Sequence, residues 1–391
     1  MKILLHDYGG YAFTFQLAGA LALDGHEVCY LYSQSTQMVE RLDPAGIHAG
    51  LEIHGVTLER PFQKYAFLQR RGAELEHGRK AAETVRLKRP EVVVSANAPL
   101  DAQAQLLAAS RQVGARFIFW FQDALGLATR RLLKGKIPLL GEGIGMYYEA
   151  LERRLARLSD RIILISEDFL PLMDVWGIAR ARIATIPNWA PLEAIPPLPK
   201  DNPWARQHGL ADQFVFLYAG ILGLKHDPQR FIELARAVNE QARVVVVSEG
   251  GQADWLATQA SQLNLRSLHL LPFQPKESLP QMFATADVLV SILSEVAGRF
   301  SVPSKVLSYL CAQRPLLLSL PLDNQAARLV QQAKSGLVVP PQDRETWIAA
   351  ARRLIQDKAL RVQMGANGRA YAEAHFDIQK IAAQFLGVLL P

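Results

Sequence analysis

The chain has 391 residues, half of them apolar, which is ample material for two cored domains rather than one. Its formal charge of +6 and pI near 9.3 suit an anionic substrate, an anionic membrane surface or a nucleic acid without choosing among them. Cys29 and Cys311 are the only cysteines and each sits in an apolar stretch, so no disulfide framework is expected and a reducing cytosol is the default. No run approaches the roughly 18 to 20 apolar residues that cross a bilayer. The opening MKILLHDYGG reads as a strand and glycines rather than a signal peptide, so a cytoplasmic location is expected.

Lys2–His6 reads as a buried strand, Phe13–Leu23 as a helix stopped by Gly25, and Glu27–Tyr32 as a second strand. Strands follow at Glu91–Ser95, Ala115–Phe121 and Arg161–Ser166, with helical patterns between. Before the last of these, Tyr147, Leu151, Leu155 and Leu158 share one helix face, and Glu149 is spaced to pair with Arg153. Ile183–Ile186 closes this half. The stretch PNWAPLEAIPPLPKDNPW is too rich in proline for helix or central strand and reads as a stiff extended linker. The alternation then restarts with strands at Phe214–Ala219, Arg243–Val247, His269–Leu271, Asp287–Ile292 and Pro315–Leu320, and ends in a helical tail from Asp343. Short apolar strands alternating with helices predict parallel sheets covered on both faces. The expected architecture is two Rossmann-like α/β domains, 1–190 and 191–391, facing each other across a cleft between the carboxyl ends of their sheets.

The stretch FSVPSKVLSYLCAQRP places Ser301, Pro303, Ser304 and Lys305 at the mouth of a helix whose apolar face is Val306, Leu307, Leu310 and Cys311. Free N–H groups and a lysine there suit a diphosphate, although an ordinary capped helix with a solvated lysine has the same pattern. Gly220 and Gly223 at a strand end leave room for a ligand, and Lys225 is either a phosphate cation or a surface lysine. Gly9 and Gly10 after the first strand are either a ligand loop or a tight turn. Gln122 and Asp123 leave a very apolar strand, where Asp123 is either a base for an acceptor hydroxyl or a helix cap. Asn97 occupies a similar exit, and His6 reads as a structural histidine. Phe273 and its neighbours either cradle a nucleobase or cap the core. No Asp-x-Asp, Cys-x-x-Cys or His-x-x-x-His is present, so no metal and no cofactor are expected. The dinucleotide fingerprint is matched only in part, which disfavours a nicotinamide or flavin dehydrogenase.

With these residues in view, the chain resembles retaining nucleotide-sugar glycosyltransferases of family 4, which have the two-domain GT-B fold. The resemblance rests on YAGILGLKHDP, SEGG, LLPFQPKESLPQMFATADVLVSI, VPSKVLSYLCAQRP and SGLVVPPQD in the second half, and on FWFQD, LERRLARLSDRIILIS and IPNW in the first. The VPSK, QD and PNW elements are most similar to colanic-acid and O-antigen transferases of the fucosyl or N-acetylfucosaminyl type. The resemblance implies that Lys225 holds the donor diphosphate and that Gly10 lies in the glycine loop beside the donor. It also implies that Phe273 borders the nucleobase, and that Ser304 and Lys305 face the phosphates and ribose. Gln122, Gly220 and Glu295 complete the donor-side set. Two features depart from the family. The second of its paired glutamates falls on Ser308, with Glu295 thirteen residues earlier, and Ile221 stands near the place of its arginine. The usual histidine aligns with Gln122, leaving Asp123 as the acceptor-side group. The implied reaction transfers a sugar from a nucleoside diphosphate sugar to a saccharide, expected to be lipid-linked, for a bacterial surface polysaccharide. A catalytically silent subunit of the same fold and a nucleotide-sugar epimerase are the rival readings.

Nine basic residues against three glutamates over 60–89, and Arg130, Arg131, Lys134 and Lys136 among leucines over 125–140, predict peripheral binding at the inner face of an anionic membrane. Two solvated helical faces would share this pattern. Nucleic acid is not expected as a partner, because these stretches lack interleaved aromatics.

Overall fold

The computed structural model describes residues 1–35, 49–59, 67–136, 138–223, 225–298 and 302–390. Arg60, Lys64, Phe300 and Ser301, and the side chains of Lys134 and Lys136, lie outside the described residues. The chain forms two compact units, one of residues 1–188 with 378–391, the other of residues 189–377.

Seven parallel strands build the sheet of the first unit: β1 (Lys2–Asp7), β2 (Glu27–Ser33), β3 (Leu51–Val56), β4 (Val92–Ala96), β5 (Arg116–Phe121), β6 (Arg161–Leu164) and β7 (Ile183–Thr185). Their order is β3-β2-β1-β4-β5-β6-β7, so the winding direction reverses between β1 and β4. The second unit has β8 (Val215–Ala219), β9 (Arg243–Val247), β10 (Leu268–Leu271), β11 (Val288–Ile292), β12 (Leu316–Ser319) and β13 (Gly336–Val339), ordered β10-β9-β8-β11-β12-β13 and reversing between β8 and β11. Central strands such as VVVSA and VLVSI are buried throughout, as parallel strands covered on both faces must be. The unexpected strands, β3 and β13, are edge strands. Their half-exposed positions, with a glycine inside β3 and at the start of β13, weaken the apolar signal.

The helices that position the first unit's residues are α1 (Ala12–Leu23), α2 (Phe67–Lys88), α3 (Leu100–Val113), α4 (Leu125–Lys136) and α5 (Pro138–Leu158). The buried face of α5 is turned from the expected one. Leu155 is buried, but Tyr147 and Leu158 are exposed and Glu152 is fully buried in their place. Glu149 pairs at 2.8 Å with Arg130 of α4, where Arg153 was expected. Three glycines let these two helices approach: a Cβ on Gly126, Gly141 or Gly145 would come within 2.7 Å of backbone across the pair.

One expectation about the chain's course gains detail and one is corrected. The stiff proline-rich seam is also tied down. Its carbonyls at Ile195 and Leu198 accept hydrogen bonds from Arg369 and Arg314, Lys200 pairs with Asp287, and the seam thereby lies along the second unit. The tail, by contrast, does not stay with the C-terminal half. The last helix, Ile378–Leu389, packs on α1 of the first unit, with Phe385 fully buried and its ring 4.7 Å from that of Trp120. An amphipathic helix satisfies its apolar face wherever a matching surface is offered, and sequence periodicity does not say where.

Candidate active site

In the second unit the carboxyl ends of β8 and β11 bring Gly220, Lys225 and Glu295 to the place where the strand order reverses, the usual ligand position of open α/β sheets. The helix Lys305–Cys311 follows, with Val306, Leu310 and Cys311 buried as expected and Leu307 only partly covered. It has seven residues, and Ser304 before it makes no side-chain cap, so its dipole is a minor contributor. The lysine is the main one. Lys305 directs its Nζ inward, 3.5 Å from the centre of the Tyr218 ring, where it is buried and has no hydrogen-bond partner among the described residues. Gly220, at φ +133°, makes this possible, since a Cβ there would lie 2.9 Å from the ammonium. Burial, and then the charge of Lys225, hold the Lys305 ammonium well below the usual lysine range. His226 is pushed down to about 4 by burial and by both lysines, and its Nδ1 accepts from the Gly223 N–H at 3.0 Å. The result is a buried amine on an aromatic face beside the exposed Lys225, and an anion placed between them would favour the charged form of both. Lys225 and Ser304 are exposed, Glu295 opens a short helix, and Phe273 is partly exposed with its N–H donating to Glu249 at 2.8 Å.

The first unit holds a half-open cavity of about 230 Å³ past the carboxyl ends of β1 and β4, where the strand order reverses, lined among others by Tyr8, Tyr11, Asn97, Gln103, Gln122 and Asp123. Buried Glu74 and Glu152 line it and buried Asp7 lies just before Tyr8 in its wall, and none of the three was singled out from sequence. Asp7, at the end of β1, accepts from the N–H groups of Gly9 and Tyr11 and from the hydroxyls of Thr14 and Tyr30. It thereby fixes the turn that holds Gly10 at φ +66°. Burial raises its carboxyl to about 6 in spite of those donors. Glu152 of α5 accepts from the first two amides of α4, Leu125 at 2.8 Å and Gly126 at 3.0 Å, so Glu152 supplies the capping that Asp123 was a candidate for. Burial pushes it up to about 8. Asp123 is left on the exposed rim of the cavity. Gln122 exchanges both ends of its amide with Asn188, at 2.6 and 3.3 Å, and lines the cavity of the first unit. His6 is structural, bonded to Ser95 and His77. Among the described residues no group of three or more His, Cys, Asp and Glu is placed to hold a metal ion, and no helix is long and apolar enough to cross a membrane.

Two α/β units, one with a cation pair at its strand reversal and one with a polar cavity at its own, define a two-domain nucleotide-sugar type of architecture. Residues 9–189 match the glycosyl transferase 4-like domain and residues 201–371 match the glycosyl transferases group 1 domain. The chain belongs to the glycosyltransferases of GT-B fold. It is similar to a probable glycosyltransferase, WbjE, of Pseudomonas aeruginosa, with 25% identity over 47% of each chain, so it spans about half the length of the curated relatives it matches. Among solved structures it shares its fold with HepE of Anabaena in complex with UDP-glucose (TM-score 0.72, 16% identity, 100% of this chain and 99% of that one). It shares it equally with WaaG, a glycosyltransferase involved in lipopolysaccharide biosynthesis (TM-score 0.71, 14% identity, 99% of each).

Proposed function

We propose that this chain transfers a sugar, with retention of configuration, from a nucleoside diphosphate sugar held by the second unit to a saccharide held by the first. The observation that carries the reading is Lys305, whose buried amine beside Lys225 has no hydrogen-bond partner among the described residues. A leaving diphosphate supplies the missing anion, and both lysines oppose the charge that grows on it as the glycosidic bond breaks. Similarity to HepE, solved with UDP-glucose, supports a nucleotide-sugar donor. Retention, and the fucosyl or N-acetylfucosaminyl subtype, are drawn from the family 4 resemblance. Similarity to WaaG, named for lipopolysaccharide biosynthesis, supports a lipid-linked acceptor and a surface-polysaccharide role. With two lysines to neutralise the diphosphate, the reaction needs no bound metal. Asp123 on the cavity rim is the acceptor-side base.

The test is a thermal-shift screen with UDP, GDP, dTDP and CDP, followed by turnover of the matching nucleotide sugars with and without EDTA. At least one nucleotide raises Tm in the wild type. Lys305→Ala and Lys225→Ala weaken that shift and lower turnover by roughly 10²–10³ each. Activity persists in EDTA. Wild-type turnover in both variants would remove the phosphate role. Ser308 in place of a glutamate, and Ile221 near the place of the arginine, favour the second reading of a silent subunit, for which nucleotide binding without turnover is the signature.

The same reading places the protein at an anionic membrane surface. Leu140 and Met146 of α5 are 71% and 54% exposed, beside an exposed Arg131, and this is the feature that supports it.

A further inference from the structure

The turn after β1 is held by one side chain. Asp7 is fully buried, and its Oδ1 accepts from the Gly9 N–H at 3.1 Å. Its Oδ2 accepts from the Tyr11 N–H at 2.7 Å, from the Tyr30 hydroxyl at 3.2 Å and from the Thr14 hydroxyl. Tyr11 opens α1 without a side-chain cap of its own, so the carboxyl group fixes the helix entry from outside. The turn also forms part of the cavity wall. Tyr8 and Tyr11 both line the cavity, and the Tyr11 ring lies so close over Gly9 that a Cβ there would collide with it.

The four donors respond differently to a proton on Asp7. A hydroxyl can turn round and accept, whereas a backbone amide cannot. Thr14 Oγ1 lies 2.7 Å from the Tyr11 carbonyl, so it can accept a proton from Oδ2 and donate its own to that carbonyl. The Tyr11 amide then faces a carboxylic O–H instead of a carboxylate oxygen and loses a charge-assisted bond. Nothing nearby takes the proton first. The helix α1 carries no charged residue, and β4 carries none either. Burial, with Asp7 and Asp123, pushes the Tyr11 hydroxyl up to about 12, and burial and Asp7 push Tyr30 higher still. On β1, burial and His77 hold His6 well below its ordinary value, and burial holds His77 at about 4. Burial raises the Asp7 carboxyl to about 6, inside the range a cell or an assay can cross.

We propose that Asp7 is a positioning residue whose ionisation sets this turn: the carboxylate holds both turn amides and keeps Tyr8 and Tyr11 on the cavity wall, and the protonated acid frees the Tyr11 amide and loosens the turn. The response of the turn needs no ligand. Its bearing on sugar transfer rests on the reading of the first unit given above, and turnover then falls as the pH drops through about 6.

The experiment is hydrogen exchange on the full chain from pH 5 to pH 8, resolved to single amides by mass spectrometry and corrected for the intrinsic rate at each pH. Wild type, Asp7→Asn and Thr14→Val are compared, with Tm measured alongside. Protection of the Tyr11 amide in the wild type falls about tenfold as the pH drops through 6, while amides of α3 do not change. In Asp7→Asn that amide is poorly protected at every pH. Thr14→Val removes a donor that favours the ionised form, so the midpoint moves up by about one to two pH units, which keeps the test open should Asp7→Asn fail to fold. Relative to Asp7→Asn, the wild type gains stability as the pH falls through 6, because its folded carboxyl binds the proton more tightly than the unfolded one. A merely structural carboxylate would lose stability and turn protection together. Tyr11 protection that stays constant with pH, or a midpoint unmoved by Thr14→Val, overturns the proposal. Turnover of the nucleotide sugar the wild type uses is followed over the same range. Turnover that stays flat across the exchange midpoint removes the turn from the reaction, and turnover absent at every pH with the midpoint in place sinks the reaction reading alone.

Discussion

Glu152 shows how one side chain ties a helix start to the chemistry of a cavity. Its carboxyl satisfies two amides of α4, yet burial holds it at about 8 against an ordinary 4.5. A folded-state value above the unfolded one means that the native protein binds the extra proton. The stability it contributes is complete below about pH 4.5 and is lost as pH rises through about 8. Asp7 follows the same rule over a lower window, ending near pH 6. Above pH 6.5 Glu152 is therefore the carboxyl still titrating of the two. Glu152→Gln keeps an acceptor oxygen and abolishes the titration. Thermal melts between pH 6.5 and 8.5 will show the wild type losing stability relative to this variant as pH rises, by at most about 1.4 kcal/mol per pH unit. Parallel curves would mean that Glu152 does not titrate there.

At the scale of elements, the first unit is completed by a helix from the far end of the chain. Ile381, Ala382, Phe385 and Leu389 of the last helix are buried, and Arg116 of β5 donates to the Leu390 carbonyl at 3.1 Å. Phe385 backs Trp120, one wall of the cavity. Phe385→Ala removes an aromatic ring from a closed site, at a cost of about 3–5 kcal/mol. Urea unfolding followed by tryptophan fluorescence will show the midpoint of the first unit lowered and that of the second unchanged. A variant with an unmoved first-unit midpoint would place the last helix outside that unit's cooperative core.

At the scale of the molecule, the basic excess is less available than the composition suggests. Arg70, Lys80 and Lys88 pair with Glu74, Glu76 and Glu52, and Arg130 lies between Glu142 and Glu149. Surface ion pairs contribute little stability, but they do cancel the local field that an anionic membrane would feel. If the chain binds a membrane as proposed, the attachment rests more on exposed apolar residues than on the charge run first read as its cause. Sedimentation with anionic liposomes checks this. Leu140→Ser with Met146→Ser abolishes binding, while raising salt weakens it only in part. Binding that vanishes with salt yet survives the double substitution would return the role to the basic residues.

The sequence by itself determined the class of the molecule and singled out the lysine at the start of Lys305–Cys311. Runs such as EVVVS and DVLVSI can only be buried parallel strands, and a lysine directly after a Pro-Ser turn at a helix start is visible in one dimension. The tertiary structure decided what depends on contact across the chain. It set the burial of Lys305 Nζ against Tyr218, 87 residues away in sequence, and the return of the last helix to the first unit. It turned Glu152 inward on a helix whose hydrophobic pattern suggested another face, and it left Asn97 Nδ2 and Gln103 Oε1 buried without a partner among the described residues. Periodicity records which residues avoid water, but a polar side chain's partner, or its lack of one, is settled only when distant segments pack around it.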